Sequence, residues 1–270
     1  MSYLISICNQ KGGVGKTTTA INLSAYLAAL GRRTLLVDFD PQANASSGLG
    51  INHKNLSKNV YHLLIKQGLI KEALQKTDIF GLDVLPSSPD LIGAQVELLS
   101  FENKERRLEE ILALIVPYYQ YIIIDLPPSL GLLTINGLVA SEYVLIPIQT
   151  EFYALEGLSQ LISTIDLIRR NLDKDLKILG AVLTMYDKRN KLDRLVTKHI
   201  LRHFPGYVFN SVVPRNIDLA QAPAFGKPIL LYNSNSSGAR AYKNLTQELI
   251  SLLESKVTEN SSPSFSNHYE

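Results

Sequence analysis

The chain has 270 residues, 46% of them apolar and 19% charged, a globular composition long enough for one α/β domain or two smaller ones. Its net charge is only +2, so affinity for a polyanion has to come from a local basic patch. A single cysteine, Cys8, excludes a disulfide framework and multi-thiolate metal sites. No apolar run approaches the ~20 residues of a membrane span and the N-terminus lacks a signal-peptide layout, so a cytoplasmic location is expected.

The first predicted element is a strand, "YLISIC" (3–8), in which Cys8 reads as a small buried residue and not as a reactive thiol. A helical pattern over 16–30 follows, then the strands "RTLLVD" (33–38) and "LDVLP" (82–86). Helix 103–115 precedes "YIIID" (121–125) and "YVLIPI" (143–148), and helix 155–171 precedes "ILGAVLT" (178–184). Helix 191–203, a strand "YVFNSVV" (207–213) and helix 239–256 complete the pattern. Strands that are apolar almost throughout are covered on both faces, which predicts an α/β fold: a mostly parallel twisted sheet flanked by helices on both sides. Neither a linker nor a repeat divides the chain, so residues 1–257 are read as one domain and the polar stretch 258–270 as a disordered tail.

Between the first strand and the first helix lies "NQKGGVGKTTT" (9–19). A phosphate-binding loop reads G-x-x-x-x-G-K-[ST] at this kind of junction. Gly15, Lys16 and Thr17 supply its end, while Gln10 holds the place of the first glycine and an additional lysine, Lys11, follows it. Gly12, Gly13 and Gly15 allow unusual backbone angles, so the main chain from Lys11 through Val14 to Thr18 can close around phosphates at a helix N-terminus. Lys16 would reach the β- and γ-phosphates, and the Thr17 hydroxyl would ligate Mg2+. The plainer reading, a glycine-rich turn before a helix, does not account for GKT at the required position. Two strands end in acids, Asp38 with Asp40 beyond it, and Asp125. At the carboxyl edge of a parallel sheet such groups meet a bound ligand; Asp125 fits a Mg2+-holding role, and either Asp38 or Asp40 could orient an attacking water.

"KGGVGKTT" resembles the deviant Walker A motif of the ParA/MinD group of P-loop ATPases. "LLVDFDPQANASSGLG", "IIIDLPPSLGLLTINGL", "VLIPIQTEFYALEGL", "VLTMYDKRN" and "VVPRNIDLAQAPAFGKPI" are similar, in order, to the motifs of its Soj-type partition ATPases, over about residues 3 to 253. The resemblance implies a nucleotide-sandwich homodimer in which Lys11 crosses to the phosphates of the partner subunit, as an arginine finger would. It implies that Asp40 positions the hydrolytic water while Asp38 and Asp125 act around Mg2+, and that Pro214 and Asn216, with Met185 nearby, contact adenine and ribose.

Residues 187–203 hold six basic side chains, Lys188, Arg189, Lys191, Arg194, Lys198 and Arg202, against Asp187 and Asp193. At about 100° per residue, Lys191, Arg194, Lys198 and Arg202 form one helical stripe, with Leu192, Val196 and Ile200 on the side expected to pack. Such a stripe suits phosphate contact without base reading, although a solvated face has the same look. Soj-like proteins bind double-stranded DNA non-specifically through basic residues in this half, which favours the first reading; Arg215, Lys227 and Arg240 are further candidates. The function implied is an ATP-dependent partition ATPase whose dimer binds DNA at the nucleoid and is released when a ParB-type centromere-binding protein stimulates hydrolysis. A MinD-like membrane switch is the alternative, but the last helix carries Glu248 and Glu254 and no membrane contact is expected. Iron–sulfur chemistry lacks its cysteines, and no substrate motif supports a metabolic ligase.

Overall fold

Apolar runs spread between residues 3 and 184 assemble side by side into one sheet. In the computed structural model, which describes residues 2–151 and 154–260, the strands are β1 (Tyr3–Ile7), β2 (Thr34–Asp38), β3 (Gln75–Lys76), β4 (Leu82–Leu85), β5 (Tyr121–Asp125), β6 (Tyr143–Gln149) and β7 (Lys177–Thr184). Their order is β3-β4-β2-β5-β1-β6-β7, parallel throughout except for β3, which runs antiparallel to β4 at one edge. Every residue of β1, β2, β4 and β5 is buried. Successive side chains feed opposite faces: Leu35, Val37, Ile122 and Ile124 enter one core, and Leu36, Ile123 and Tyr121 the other. The helices Lys16–Ala29 and Ser237–Asn260 cover the second face; Leu132–Val139, Ala154–Asn171 and Lys191–His203 cover the first.

Six of the seven predicted strands form. The seventh, 207–213, is broken into isolated bridges, Ala181 with Val208 and Tyr186 with Pro214. Phe209 N–H donates to the Ala181 carbonyl, but the next two amides, of Asn210 and Ser211, turn away to the Glu248 carboxylate at 2.7 and 2.9 Å. A carboxylate from the last helix thus outcompetes the sheet for these donors. That helix ends at Asn260, four residues past its predicted end at 256, and so takes in the first three residues of the predicted tail; the rest of that tail lies outside the described residues.

The register aligns the strand ends. Asp38 pairs with Asp125 across β2–β5, and Ile7 with Asp125 across β1–β5, so the phosphate loop and both acids emerge level at the carboxyl edge.

Candidate nucleotide site and basic surface

The loop after β1 is pinned before any ligand is considered. Asn9 Nδ2 donates to the Pro147 carbonyl at 2.7 Å, its Oδ1 accepts the Lys11 N–H at 3.0 Å, and Thr184 Oγ1 donates to the Val14 carbonyl at 2.8 Å. Gly13 and Gly15 sit at φ 76° and 88°, where a side chain is strained. Gly12 does not: its backbone is outside the left-handed region and a Cβ there meets nothing within 4 Å, so the turn requires two of the three glycines. Lys16 opens the helix, is buried, and donates from Nζ to the Lys11 carbonyl at 3.1 Å. Burial lowers its pKa, while Asp125 and Asp40 pull it back up. Lys11 takes another course, its ammonium paired with the Glu151 carboxylate of the same chain. Gln10, in the place of the first glycine, has a buried amide nitrogen with no partner among the described residues.

The three acids converge but differ in environment. Asp38 is fully buried; its Oδ2 accepts the amide and the hydroxyl of Ser46, each at 2.7 Å, and its Oδ1 accepts the Asp40 N–H at 3.3 Å. Burial pushes its pKa up to about 6 against the opposing pull of Ser46. Asp40 uses one oxygen to accept the Gln42 N–H at 2.9 Å. Asp125 is equally buried, yet neither of its oxygens completes a hydrogen bond among the described residues. Burial first, then repulsion by Asp38, raises its pKa well above the usual carboxylate range; the Thr17 hydroxyl favours the ionised form without reaching full bonding geometry. Cys8 beside this edge is buried, and burial pushes its thiol up to about 12, the behaviour of a core residue.

A cavity of about 280 Å3 opens next to the loop, lined by Gly15, Thr18, Thr184, Met185, Pro214, Arg215, Asn216 and Tyr242 among others. Met185, Pro214 and Asn216 are therefore brought together. Met185 is held at φ 53°, and the Asn216 side chain is already engaged: Oδ1 caps the following short helix at the Leu219 N–H, and Nδ2 donates to Ser237 Oγ. Arg215, a DNA candidate on sequence, lines this cavity too and stands apart from the basic stripe.

A buried lysine, a neighbouring hydroxyl and an unsatisfied buried carboxylate at a glycine turn form a P-loop site, and the relatives agree. A family model described as an AAA domain matches residues 2–178. The chromosome partitioning protein ParA of Myxococcus xanthus is 52% identical over 92% of this chain and 87% of its own. The sporulation initiation inhibitor protein Soj of Bacillus subtilis is 48% identical over 92% of this chain and 98% of its own. The chain belongs to the ParA/Soj family of partition ATPases. Among solved structures, cobyrinic acid a,c-diamide synthase of Mycobacterium smegmatis, with bound ATP analogue and magnesium, superposes with a TM-score of 0.84 at 35% identity, covering 95% of this chain and 97% of that one. The P-loop scaffold is thus shared with a biosynthetic enzyme, while the higher sequence identity is with the partition proteins.

On this ParA/Soj chain the basic helix Lys191–His203 turns Lys191, Arg194, Lys198 and Arg202 to solvent, and none of the four has a carboxylate partner among the described residues. Lys188 and Arg189 in the preceding turn are exposed as well, but Arg189 is paired with Asp187 at 2.9 Å. Lys227 and Arg240 are exposed on other segments, with Arg240 donating to the Asn235 carbonyl at 2.6 Å. The packing side differs from the expectation: Val196 and Ile200 are buried, whereas Leu192 is 40% exposed and Asp193 takes the inner position. The reason is electrostatic, because Asp193 Oδ2 accepts the Asp187 N–H at 2.8 Å and closes the entry turn. Sequence alone does not single out Asn9, Ser46, Glu151, Thr184 or Tyr242. Thr184 carries a signal, since it ends a parallel strand at the carboxyl edge; the others do not.

Proposed function

We propose that residues 1–257 act as one Mg2+-dependent ATPase domain that dimerises with ATP, binds double-stranded DNA non-specifically and releases it when a ParB-type protein stimulates hydrolysis. The observation that carries this reading is Asp125, a buried carboxylate left without a hydrogen-bond partner beside Thr17 and level with the phosphate loop. A buried carboxyl without a partner is costly to ionise unless a cation joins it. No group of three or more His, Cys, Asp or Glu side chains that could hold a metal alone is present among the described residues. That fits Mg2+, which is bound by one or two protein ligands together with substrate phosphates. Thr17 and Asp125 would hold it, and when bound it neutralises charge on the phosphates.

The residues of the chain then divide the work. Main-chain N–H groups from Lys11 to Thr18 and the helix N-terminus cradle the phosphates. Lys16, buried and still drawn towards its charged form by nearby acids, contacts the β- and γ-phosphates. Asp40, with one oxygen bonded to Gln42 and the other without a partner among the described residues, orients the attacking water. Met185, Pro214 and Asn216 receive the base and ribose in the adjoining cavity. Lys11 leaves Glu151 to reach the partner subunit's phosphates, so that a complete site exists only in the dimer. The basic stripe makes phosphate contacts, doubled along one duplex by dimerisation.

A MinD-like membrane role is less well supported. The last helix spends its apolar side on the core through Tyr242, Leu245, Leu249 and Leu253, and Glu254 is tied to Arg32 and Tyr121. No helix among the described residues is long and apolar enough to cross a membrane. A cytoplasmic, nucleoid-associated location follows from the proposed DNA binding. The test is DNA binding by the pure protein with and without ATP, using Asp40→Ala to block turnover and Lys16→Ala to block phosphate contact. ATP-dependent binding that persists in Asp40→Ala and disappears in Lys16→Ala is expected; binding indifferent to nucleotide in all three proteins would overturn the reading.

A further inference from the structure

We propose that Ser46 is a positioning residue for hydrolysis, fixing through Asp38 the turn that carries Asp40. This rests on the ATPase reading above, in which Asp40 orients the water. Ser46 is fully buried at the start of the short helix Asn44–Gly48, and both of its donors point at one atom, Asp38 Oδ2, at 2.7 Å each. Its hydroxyl oxygen also accepts the Ser87 N–H at 3.2 Å, from the segment that follows β4. One small side chain therefore ties together the ends of two neighbouring strands and the turn between Asp38 and the helix.

That turn needs such a tie. Ala43 within it has φ 53°, a conformation that a residue with a Cβ keeps only when its surroundings hold it there. Asp40 stands at the turn's start: its carbonyl accepts the Ala43 N–H at 2.9 Å, its carboxylate accepts the Gln42 N–H at 2.9 Å, and its own N–H donates to Asp38 Oδ1 at 3.3 Å. Asp38 thus reaches Asp40 directly and Ser46 on the far side of the turn, and the two attachments set the direction of the Asp40 carboxylate. The same bonds occupy Asp38, whose oxygens are already supplied with donors, whereas those of Asp125 are not. Asp38 is accordingly a buried anchor, with Asp125 the carboxylate available to a cation. A water-orienting group displaced by an ångström loses rate while substrate affinity is preserved, because its contact matters in the transition state and little in the ground state.

The experiment compares Ser46→Ala, Ser46→Thr and Ser46→Val in the full chain, with Asp40→Ala alongside, measuring kcat, the dissociation constant for Mg·ATP and the melting temperature. Thr and Val share a shape and differ in the hydroxyl, so their difference reports the hydrogen bonds even if Ala melts early. Expected are a fall in kcat of about tenfold or more for Val and Ala, Mg·ATP affinity within about threefold of wild type, and substantial recovery of kcat in Thr. Equal kcat in Thr and Val, or a loss confined to nucleotide affinity, would overturn the proposal. If Asp40→Ala itself turns over at the wild-type rate, the water-positioning role assigned to Asp40 fails. If Asp40→Ala is inactive while Val matches Thr, only the role of Ser46 fails.

Discussion

Lys11 and Glu151, 140 residues apart in sequence, are joined as an ion pair within one chain at the mouth of the phosphate site. Both side chains are partly exposed, 36% and 48%, so the pair contributes at most about 1 kcal/mol. A lysine that must reach a neighbouring subunit has to give up this contact first, and a weak tether allows the exchange. Glu151→Gln is therefore expected to strengthen ATP-dependent dimerisation by up to about fivefold for each lysine that crosses, with the gain shrinking in high salt. Sedimentation with ATP and hydrolysis blocked is the measurement, and weaker dimerisation in the variant would mean that Glu151 serves the interface itself.

Asp125 gives a prediction with a sign. Its folded pKa lies well above the unfolded value, so the native state holds a proton that the unfolded chain releases. Stability from this group is fullest at low pH and is lost as pH rises from the unfolded pKa through the folded one. Asp125→Asn removes that loss, and without nucleotide or Mg2+ it should stabilise the chain by about 1–3 kcal/mol at neutral pH, less as pH falls. The same variant should gain little from added Mg·ATP. Denaturant titrations at two pH values with and without Mg·ATP measure both effects; a destabilised variant in the absence of ligand would show that the carboxylate has a structural partner.

Gly50 and Gly226 meet backbone to backbone, joining the end of helix Asn44–Gly48 to the segment after Ala222–Phe225. A Cβ on Gly226 would lie 2.8 Å from the Gly50 Cα, and both residues have positive φ, 77° and 62°. Gly226→Ala is expected to cost about 1–3 kcal/mol, from strain and from the forced separation of the two backbones. Because helix Asn44–Gly48 packs on Ala222–Phe225 here, nucleotide affinity should fall along with stability. Thermal melts and nucleotide titrations test the two parts, and a variant with the wild-type melting temperature would rule out the close approach.

The readable parts of this molecule are those in which neighbouring residues along the chain share a fate. Strands β1, β2 and β5 are apolar runs because both faces are covered, and the glycine turn with Lys16 and Thr17 works through local backbone, so spacing reveals them. Helix Leu132–Val139 is not legible in the sequence because it buries Leu133, Thr134, Asn136 and Val139 on several sides and shows no amphipathic period. Strand β3 is two residues long, too short for any pattern. The partners that finish the site lie far off in sequence: Ser46 with Ser87, Val14 with Thr184, Thr19 with Tyr242 at 3.1 Å. No motif spacing encodes such pairs, because folding alone brings them together. Leu192 fails for a related reason, as a helical wheel cannot see that Asp193 is drawn inward by the Asp187 amide.

The basic helix gives the prediction most exposed to failure. Lys191, Arg194, Lys198 and Arg202 point to solvent without carboxylate partners among the described residues, whereas Arg189 is held by Asp187. A charge already paired releases fewer counterions on meeting DNA, so the four on the helix should carry most of the salt dependence and Arg189 little. Removing one phosphate-binding cation lowers the slope of log affinity against log salt by about 0.9, so Arg194→Ala with Lys198→Ala should flatten it by roughly two units per subunit engaged. The fall in affinity should be the same for unrelated duplex sequences, because phosphate contacts carry no base information. ATP-dependent dimerisation should survive, since both side chains are exposed and neither lines the nucleotide cavity. The measurement requires ATP with turnover blocked, because one subunit alone offers few phosphate contacts. Arg189→Ala serves as the paired-charge control and should change the slope by less than about one unit. If the double variant keeps the wild-type slope, the stripe is a solvated face, and Lys227 and Arg240 become the residues to test, with Arg215 set aside because it lines the cavity beside the phosphate loop.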